Sequence, residues 1–363
     1  MSTKRSPKRT QESAAAPAVA ESESPLPMPK PCYPKKISFD IGNGYMNATT
    51  DCGIPVDARS IQAPVSDAKR FNDLPFEHCL KFDDQWYVFG EACYTYAPKT
   101  GQDMTVTNRY MSDWYKRLFT YGLHRCYGLI IQQPEAVPAE RLEPQIVLSI
   151  PAVLFKDEAV TAKIHAHLCG TYHIQTTLCD YNVYITPENL TIIPEGAGSF
   201  LSACAEYAAP HTGTWAVVDV GYLTTDIVIF RDEDYIADLA DSDTAAGMNS
   251  VSKHIKGHVF AQHKIDLQTS IIDQHIDCDT ISVHALSIPI QDVKHAALTA
   301  LARQINQFIQ VATAGVLITG IILTGGGAKL LLDYIKGPGS IVPLKLTNHR
   351  RGNCDGGYLM LAG

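Results

Sequence analysis

The sequence predicts an α/β protein built from two related domains, and three features carry this prediction. Strand-like apolar runs alternate with helical patterns along the chain, which is typical of α/β architecture. One strand-to-turn element occurs twice, about half a chain apart, as Phe39-Asp40-Ile41-Gly42 and Val218-Asp219-Val220-Gly221. A run of three glycines, Gly325-Gly326-Gly327, follows a buried-type strand in the second half and opens a short helix.

Composition favours a globular chain large enough for more than one domain. It has 363 residues, of which 45% are hydrophobic, and a net charge of −8. Residues 1–36 carry seven Lys/Arg against three Glu, which leaves −12 on the remainder of the chain. An acidic body argues against a broad nucleic-acid interface, because phosphate backbones bind basic surfaces. We therefore expect no direct sequence-specific contact with nucleic acid.

Cysteine spacing and hydropathy argue against several other classes. The chain has ten cysteines but no Cys-x-x-Cys pair, so zinc ribbons and thioredoxin-like sites are not expected. It has neither a signal-peptide pattern nor an apolar run long enough to span a bilayer. We expect a cytoplasmic protein with reduced thiols and no membrane partner.

Turn residues and composition divide the chain into a tail and two domains. Residues 1–36 lack apolar periodicity and predict a disordered, basic and proline-rich tail. The first domain is predicted at 37–209, with an insert at about 53–144, and is completed by 346–363. The second is predicted at 210–345, with an insert at about 240–295; turn residues at 210–213 mark the junction.

Individual elements follow from local periodicity. In the first domain we expect strands at 37–41, 45–50, 86–89 and 145–150, helices at 109–129 and 156–168, and a small-residue helix that follows 192–198 and ends near Ala208. In the second we expect strands at 215–220, 226–230 and 317–324, helices at 292–311 and 328–335, and a mixture of helix and loop at 243–292.

The two repeated hairpins suggest a phosphate site. An Asp at the end of each strand projects toward a turn whose glycines let backbone N–H groups approach an anion. One hairpin from each domain can clamp the β- and γ-phosphates of a nucleotide, with Asp40 and Asp219 facing a magnesium ion that keeps several waters. The candidate phosphate-binding residues are Asp40, Gly42, Asn43, Gly44 and Tyr45 in the first hairpin and Gly221, Tyr222, Thr224, Thr225 and Asp226 in the second.

Each motif taken alone could have a purely structural role. Asp-x-Gly is common in ordinary hairpin turns, and a triple glycine can simply end a loop. Their combination favours a ligand site, since Gly325, Gly326 and Gly327 would let a flat group lie against bare backbone. A P-loop is excluded, because no Gly-x-x-x-x-Gly-Lys-Ser/Thr pattern occurs.

Together these motifs resemble the actin, Hsp70 and sugar-kinase superfamily over residues 37–363. The resemblance identifies the hairpins with its two phosphate loops and the glycine run with its adenosine loop. It implies the actin-like ATPase (ribonuclease H-like) fold, with a nucleotide cleft between two domains. The closest likeness is to bacterial and archaeal plasmid-segregation actins of the ParM and StbA type, which implies self-assembly into filaments and a DNA-binding adaptor as partner.

The resemblance also assigns catalytic roles. Pro194-Glu195-Gly196-Ala197-Gly198 resembles the element whose acid orients the attacking water, so Glu195 and Asp219 are the candidate catalytic residues and Asp40 and Asp219 the candidate metal ligands. A helix-start Glu that stabilises the helix dipole is the alternative for Glu195. The sequence leaves ATP or GTP open.

Two departures from the superfamily pattern bear on the rate of nucleotide hydrolysis. Tyr222 and Leu223 stand where the family often has a second Gly and a small residue, and no Lys follows closely in the first loop, so we expect slow hydrolysis. The alternative function is a small-molecule kinase of sugar or acetate type, although no acceptor-binding carboxylate on a dedicated loop is recognisable.

Overall fold

The computed structural model describes residues 33–53, 55–65, 75–97, 102–103, 109–128, 130–131, 141–283 and 286–362. The predicted tail at 1–36 lies outside these ranges apart from its last four residues, and Lys36 already begins the first strand. Within the described ranges no helix is long and apolar enough to cross a membrane.

The first half of the chain supplies two sheets and their covering helices. In chain order its elements are β1 (Lys36–Ile41), β2 (Tyr45–Thr50), β3 (Val56–Arg59), β4 (Ile61–Val65), β5 (Cys79–Phe82), β6 (Gln85–Phe89), α1 (Ala92–Tyr96), β7 (Gln102–Asp103), α2 (Asp113–Gly128), β8 (Gln145–Ile150), α3 (Ala152–Phe155), α4 (Glu158–Leu168), β9 (Gly170–Gln175), β10 (Asp180–Ile185), β11 (Leu190–Pro194) and α5 (Ala197–Glu206). A 3-10 turn, Arg109–Met111, leads into α2.

The second half supplies a third sheet, a hairpin and the closing helix. Its elements are β12 (Thr214–Val220), β13 (Thr225–Arg231), β14 (Asp234–Tyr235), β15 (Asp241–Asp243), α6 (Met248–His263), α7 (Thr269–Gln274), β16 (Thr280–Val283), β17 (Leu286–Pro289), α8 (Gln291–Ala312), β18 (Gly320–Thr324), α9 (Ala328–Leu331), β19 (Leu344–Lys345) and α10 (Gly352–Ala362).

The repeat seen in the sequence is a repeat of a whole sheet. The first half orders its strands β11-β8-β1-β2-β3, and the second orders them β19-β18-β12-β13-β14. In each sheet the central strand, β1 or β12, pairs antiparallel with the strand that follows it. On its other side each pairs parallel with a strand from later in the chain, β8 or β18. The two halves therefore present equivalent turns at equivalent sheet edges.

Each repeated sheet has its own apolar core. All seven residues of β12 are buried, as expected of a strand covered on both faces. One core packs α2 against β1 and β8, whereas a second packs α6 and α8 against β12 and β18. Residues of α5 belong to a third, smaller cluster that includes Phe200 and Phe230, whose rings stack 4.0 Å apart.

Helix α10 crosses α5 at backbone contact, and this crossing requires glycine. A Cβ at Gly198 would lie 2.0 Å from the carbonyl oxygen of Asn353, and a Cβ at Gly356 would lie 1.7 Å from the carbonyl oxygen of Gly198. Such distances are far below van der Waals contact. The close approach lets the chain end insert Asn353 between the two repeated sheets.

Some predicted elements differ from those observed. The helix expected at 156–168 begins at Glu158, because Asp157 accepts hydrogen bonds from the backbone N–H groups of Ala159 and Val160 and so starts α4 as its N-cap. The helix expected at 328–335 reaches only Leu331. The hairpin β16–β17 within 243–292 was not predicted, since its short strands give little alternation to detect.

Candidate functional site

A cavity of about 630 Å³ lies between the two repeated turns. This volume is in the range typical of small-molecule sites. The sequence-predicted residues that line it are Asp40, Gly42, Asn43, Gly44, Tyr45, Glu195, Asp219, Gly221, Tyr222, Thr224, Asp226, Gly325 and Gly326. The structure thus brings together residues that are as far apart as 286 positions in the sequence.

The two turns are built in the same way. The N–H of Gly42 donates to the carbonyl of Tyr45 at 2.9 Å, and the N–H of Gly221 donates to the carbonyl of Thr224 at 2.9 Å. In each hairpin the Asp pairs with the residue seven positions later, Asp40 with Asn47 and Asp219 with Asp226. Equivalent backbone geometry therefore holds Asp40 and Asp219 at the same place in each half.

Two predicted ligand residues lie behind the cavity wall. Thr225 is fully buried, and its hydroxyl donates to the carbonyl of Ala246. Gly327 packs against Val220 and Met248, and a Cβ there would lie 2.7 Å from Val220 Cγ1. The prediction that these two residues contact a ligand is therefore corrected. They support the turns instead, because the strand pleat and the tight turn direct them away from the cavity.

Gly325 is required at its position for two reasons. Its φ of +87° lies in the left-handed region, and an added Cβ would lie 2.2 Å from Oδ1 of Asp219. The glycine run therefore packs directly against the second acidic turn. Helix α9, which follows it, has only four residues.

Asn353 of α10 joins the two acidic turns, and it is not among the site residues that the sequence predicts. Its Nδ2 donates to Oδ2 of Asp219 at 2.7 Å and lies 3.4 Å from Oδ2 of Asp40. Its Oδ1 accepts from the backbone N–H of Gly196 at 2.9 Å and from the hydroxyl of Ser199 at 2.9 Å. One buried amide therefore ties both acids to the segment that carries Glu195.

Four of the carboxyl groups that line the cavity have raised pKa values. Burial raises the pKa of Asp219 to about 8, and the nearby Asp40 and Asp226 add to this effect. Burial raises the pKa of Asp40 to about 6, although the hydrogen bond from Asn353 opposes the shift. The pKa values of Glu195 and Asp226 are also raised, in both cases chiefly by burial.

Glu195 does not occupy the helix-start position of its alternative interpretation. It follows β11, and Gly196, with a φ of 91°, separates it from the first residue of α5. Its backbone N–H donates to the carbonyl of Ile150 at 2.6 Å, and its side chain lies 3.4 Å from the hydroxyl of Tyr110. The carboxyl group is thus directed into the cavity.

The donor set fits a hard divalent cation held partly through water. Several clustered carboxylates disfavour one another when ionised, and a divalent cation relieves that repulsion. In the part of the chain that the structure describes, no three His, Cys, Asp or Glu side chains are close enough to enclose an ion directly. Magnesium, which keeps several waters, suits such an arrangement better than zinc does.

Tyr222, the residue that departs from the superfamily pattern, takes part in a contact between the halves. A Cβ on Gly44 would lie 2.8 Å from Tyr222 Cβ, so the two turns touch. The Tyr222 hydroxyl donates to Asp273 Oδ2 at 2.9 Å, and Arg59 Nη2 donates to the same atom at 3.0 Å. The Arg59 guanidinium also lies over the ring of Tyr45, 4.8 Å from its centroid. We call Arg59, Tyr222 and Asp273 the cross-cleft cluster.

The far end of the cavity is more apolar. Met248, Ile276 and Leu330 contribute to its lining, with Lys329 and Asp277 beside them. Lys329 Nζ lies 3.0 Å from Asp277 Oδ2, and both side chains are about half exposed. Gly325 and Gly326 belong to the same cavity lining.

Family models match both halves of the chain. Residues 38–198 match the N-terminal domain of actin-like proteins, and residues 217–337 match the C-terminal region of the archaeal, MreB-like actin homologue. No curated protein sequence matches the chain significantly.

Solved structures of similar shape cover nearly the whole chain. A non-polymerisable quadruple mutant of pCBH ParM is 20% identical, with a TM-score of 0.72 over 90% of this chain and 98% of that one. The archaeal actin homologue Ta0583 in complex with ADP is 16% identical, with a TM-score of 0.72 over the same shares. ParM in a filament from Clostridium botulinum is 19% identical, with a TM-score of 0.70 over 90% and 99%. These likenesses confirm the predicted two-domain actin-like fold.

Proposed function

The chain belongs to the actin-like proteins, and from that premise we propose that it binds and slowly hydrolyses ATP and assembles into filaments. The observation that carries the proposal is the pair of equivalent acidic turns facing one cavity, joined by Asn353. GTP is the alternative nucleotide.

The phosphates would lie between the two turns. Gly42 to Tyr45 and Gly221 to Thr224 supply backbone and hydroxyl groups on opposite sides of the cavity. Magnesium, when bound near Asp40 and Asp219, would neutralise charge on the phosphate oxygens. The base would take the more apolar end, against Gly325, Gly326 and Leu330. Support for a nucleotide comes from Ta0583 and from Bacillus thuringiensis ParM, whose structures contain ADP and ATP respectively.

Hydrolysis would depend on positioning. Glu195 would orient a water toward the terminal phosphate, and Tyr110 would hold the Glu195 carboxyl in place. Asn353 would keep Asp40 and Asp219 at a fixed separation. Phosphoryl transfer requires little beyond such positioning and charge neutralisation.

The proposal also covers filament assembly and its role in plasmid segregation. The structural likeness to a ParM that forms filaments supports self-association, in which the partner of each chain is another copy of the same chain. The acidic body, at −12 outside the tail, supports an adaptor protein for any attachment to DNA during plasmid segregation.

The test is sedimentation combined with phosphate release. We expect the chain to pellet with ATP or a non-hydrolysable analogue and to remain in the supernatant with ADP. Glu195→Gln should bind ATP while its turnover falls on the order of 10²-fold or more. Glu158→Gln, at an exposed helix start, is the matched control and should behave as the wild type. Turnover that requires an added sugar or acetate, without assembly, would instead establish the kinase alternative.

A further inference from the structure

One buried cationic side chain faces the cavity but belongs neither to the two hairpin turns nor to the glycine run. Arg109 lies in the 3-10 turn before α2 and is only 5% exposed. Its Nη1 donates to Oδ1 of Asn43 at 2.6 Å, and its Nη2 donates to the carbonyl of Ile41 at 3.2 Å. The guanidinium is therefore held against the first turn, where a phosphate would be bound.

Other cations that line the cavity already have carboxylate partners. Arg59 pairs with Asp273 and Lys329 pairs with Asp277. Arg350 Nη1 lies 3.7 Å from an oxygen of Asp57. Among the residues that the structure describes, Arg109 has no carboxylate within ion-pair distance. Its charge remains available to an anion that enters the cavity.

The surroundings of Arg109 keep this charge in place. The guanidinium lies over the ring of Tyr110, 4.6 Å from its centroid, and 5.9 Å from that of Tyr115. Aromatic faces stabilise a desolvated cation. The same positive charge partly opposes the rise in the pKa of Glu195 that burial causes.

Tyr110 connects this cation to the proposed water-orienting acid. Its hydroxyl accepts a hydrogen bond from Arg109 Nη2, and it lies within donating distance of Glu195 Oε1, at 3.4 Å. A movement of Arg109 toward a phosphate would therefore change the hydrogen bonding of Glu195 through Tyr110.

We infer that Arg109 is a catalytic residue that binds the terminal phosphate of the nucleotide. This inference rests on the proposed function and supplies the positive charge for which the first loop has no Lys. During hydrolysis the water oxygen forms a bond to the γ-phosphorus as the bond from that phosphorus to the bridging oxygen breaks. The electron pair of the broken bond stays with ADP, and the proton of the water leaves with inorganic phosphate. Arg109 stabilises the charge on the transferred group.

The experiment compares affinities for ATP and ADP in the presence of magnesium, using calorimetry on the full chain. Arg109→Gln should raise the Kd for ATP roughly 10- to 100-fold, the effect of losing a charged hydrogen bond, and leave the Kd for ADP within about 3-fold. Arg109→Lys keeps the charge but loses the planar geometry and should give an intermediate Kd for ATP. Arg117→Gln, on α2 and bonded to Gln62, is the matched control.

Other outcomes would overturn the inference. An equal loss for ATP and ADP, reproduced by Asn43→Ala, would show that Arg109 only supports the first turn. A wild type that prefers ATP, with Arg109→Gln and Arg109→Lys unchanged, would refute the role of Arg109 and leave the proposed function standing. A wild type that binds neither nucleotide would refute both.

Discussion

Asp219 should make the empty protein less stable as the pH rises, in contrast to the usual behaviour of a carboxyl group. Its pKa is about 8 in the folded chain, against an ordinary value of 3.8. Between these values the folded state keeps a proton that the unfolded state releases. The free energy of unfolding therefore falls as the pH rises toward 8.

The size of this effect follows from the shift. Each pH unit in this window costs about 1.4 kcal/mol, and Asp219 is half ionised at pH 8, so about 2 kcal/mol is lost between pH 6 and pH 8. The contribution of Asp219 alone should then lower the melting temperature by roughly 3 °C at pH 8. Asp219→Asn, which cannot ionise at this position, should lose about 2 kcal/mol less than the wild type over the same interval.

The assay is thermal unfolding at pH 6 and pH 8, without nucleotide or magnesium, for the wild type, Asp219→Asn and Asp84→Asn. The side chain of Asp84 is fully exposed, so its variant should follow the wild type. A wild type that loses no more stability than Asp219→Asn between pH 6 and pH 8 would show that Asp219 is not held protonated. The interpretation that burial and close spacing raise the pKa values of the cavity's carboxyl groups would then be wrong.

Three further predictions test how the cavity is held together. Asn353→Ala should destabilise the fold by about 1–3 kcal/mol and weaken ATP binding, because buried partners lose their amide; unchanged binding by calorimetry would remove Asn353 from the site. Arg59→Ala and Asp273→Ala should each speed the release of a fluorescent nucleotide in stopped-flow measurements, and the double variant should be no faster than the singles if the pair acts as one unit. Gly198→Ala should lower stability by roughly 1–3 kcal/mol in chemical denaturation, because its Cβ would collide with the Asn353 carbonyl; a neutral result would mean that the α5–α10 crossing can open.

The hairpins could be predicted because their signals are local. An Asp, a Gly and a returning apolar strand lie within a dozen residues, and the turn hydrogen bonds of Gly42 and Gly221 follow from that short segment. The pairing of the halves was visible only because the segment is repeated. The sheet order, with β8 and β18 inserted beside the central strands, depends on long-range packing that no single segment encodes.

Arg109 and Asn353 could not be found in this way. Each is one polar residue in an otherwise ordinary helical region, and its role depends on partners 66 and 134 positions away, respectively. Thr225 shows the opposite error: its hydroxyl suited the expected chemistry, but its place on the pleated strand directs it to Ala246. Residue type suggests a function, whereas the direction of the side chain decides it.

The repeat also shows where the two halves differ in chemistry. Asn47 and Asp226 occupy equivalent register positions opposite Asp40 and Asp219. The amide of Asn47 lies within hydrogen-bonding distance of the Arg350 carbonyl, at 3.4 Å, whereas Asp226 is a further acid that accepts from the Thr224 hydroxyl at 2.9 Å. The second turn therefore carries two acidic residues, whereas the first carries one. Since Arg109 is held against the first turn, the backbone scaffold is symmetric but the charged groups across the cavity are not: the guanidinium lies on the side with one acid, opposite the side with two.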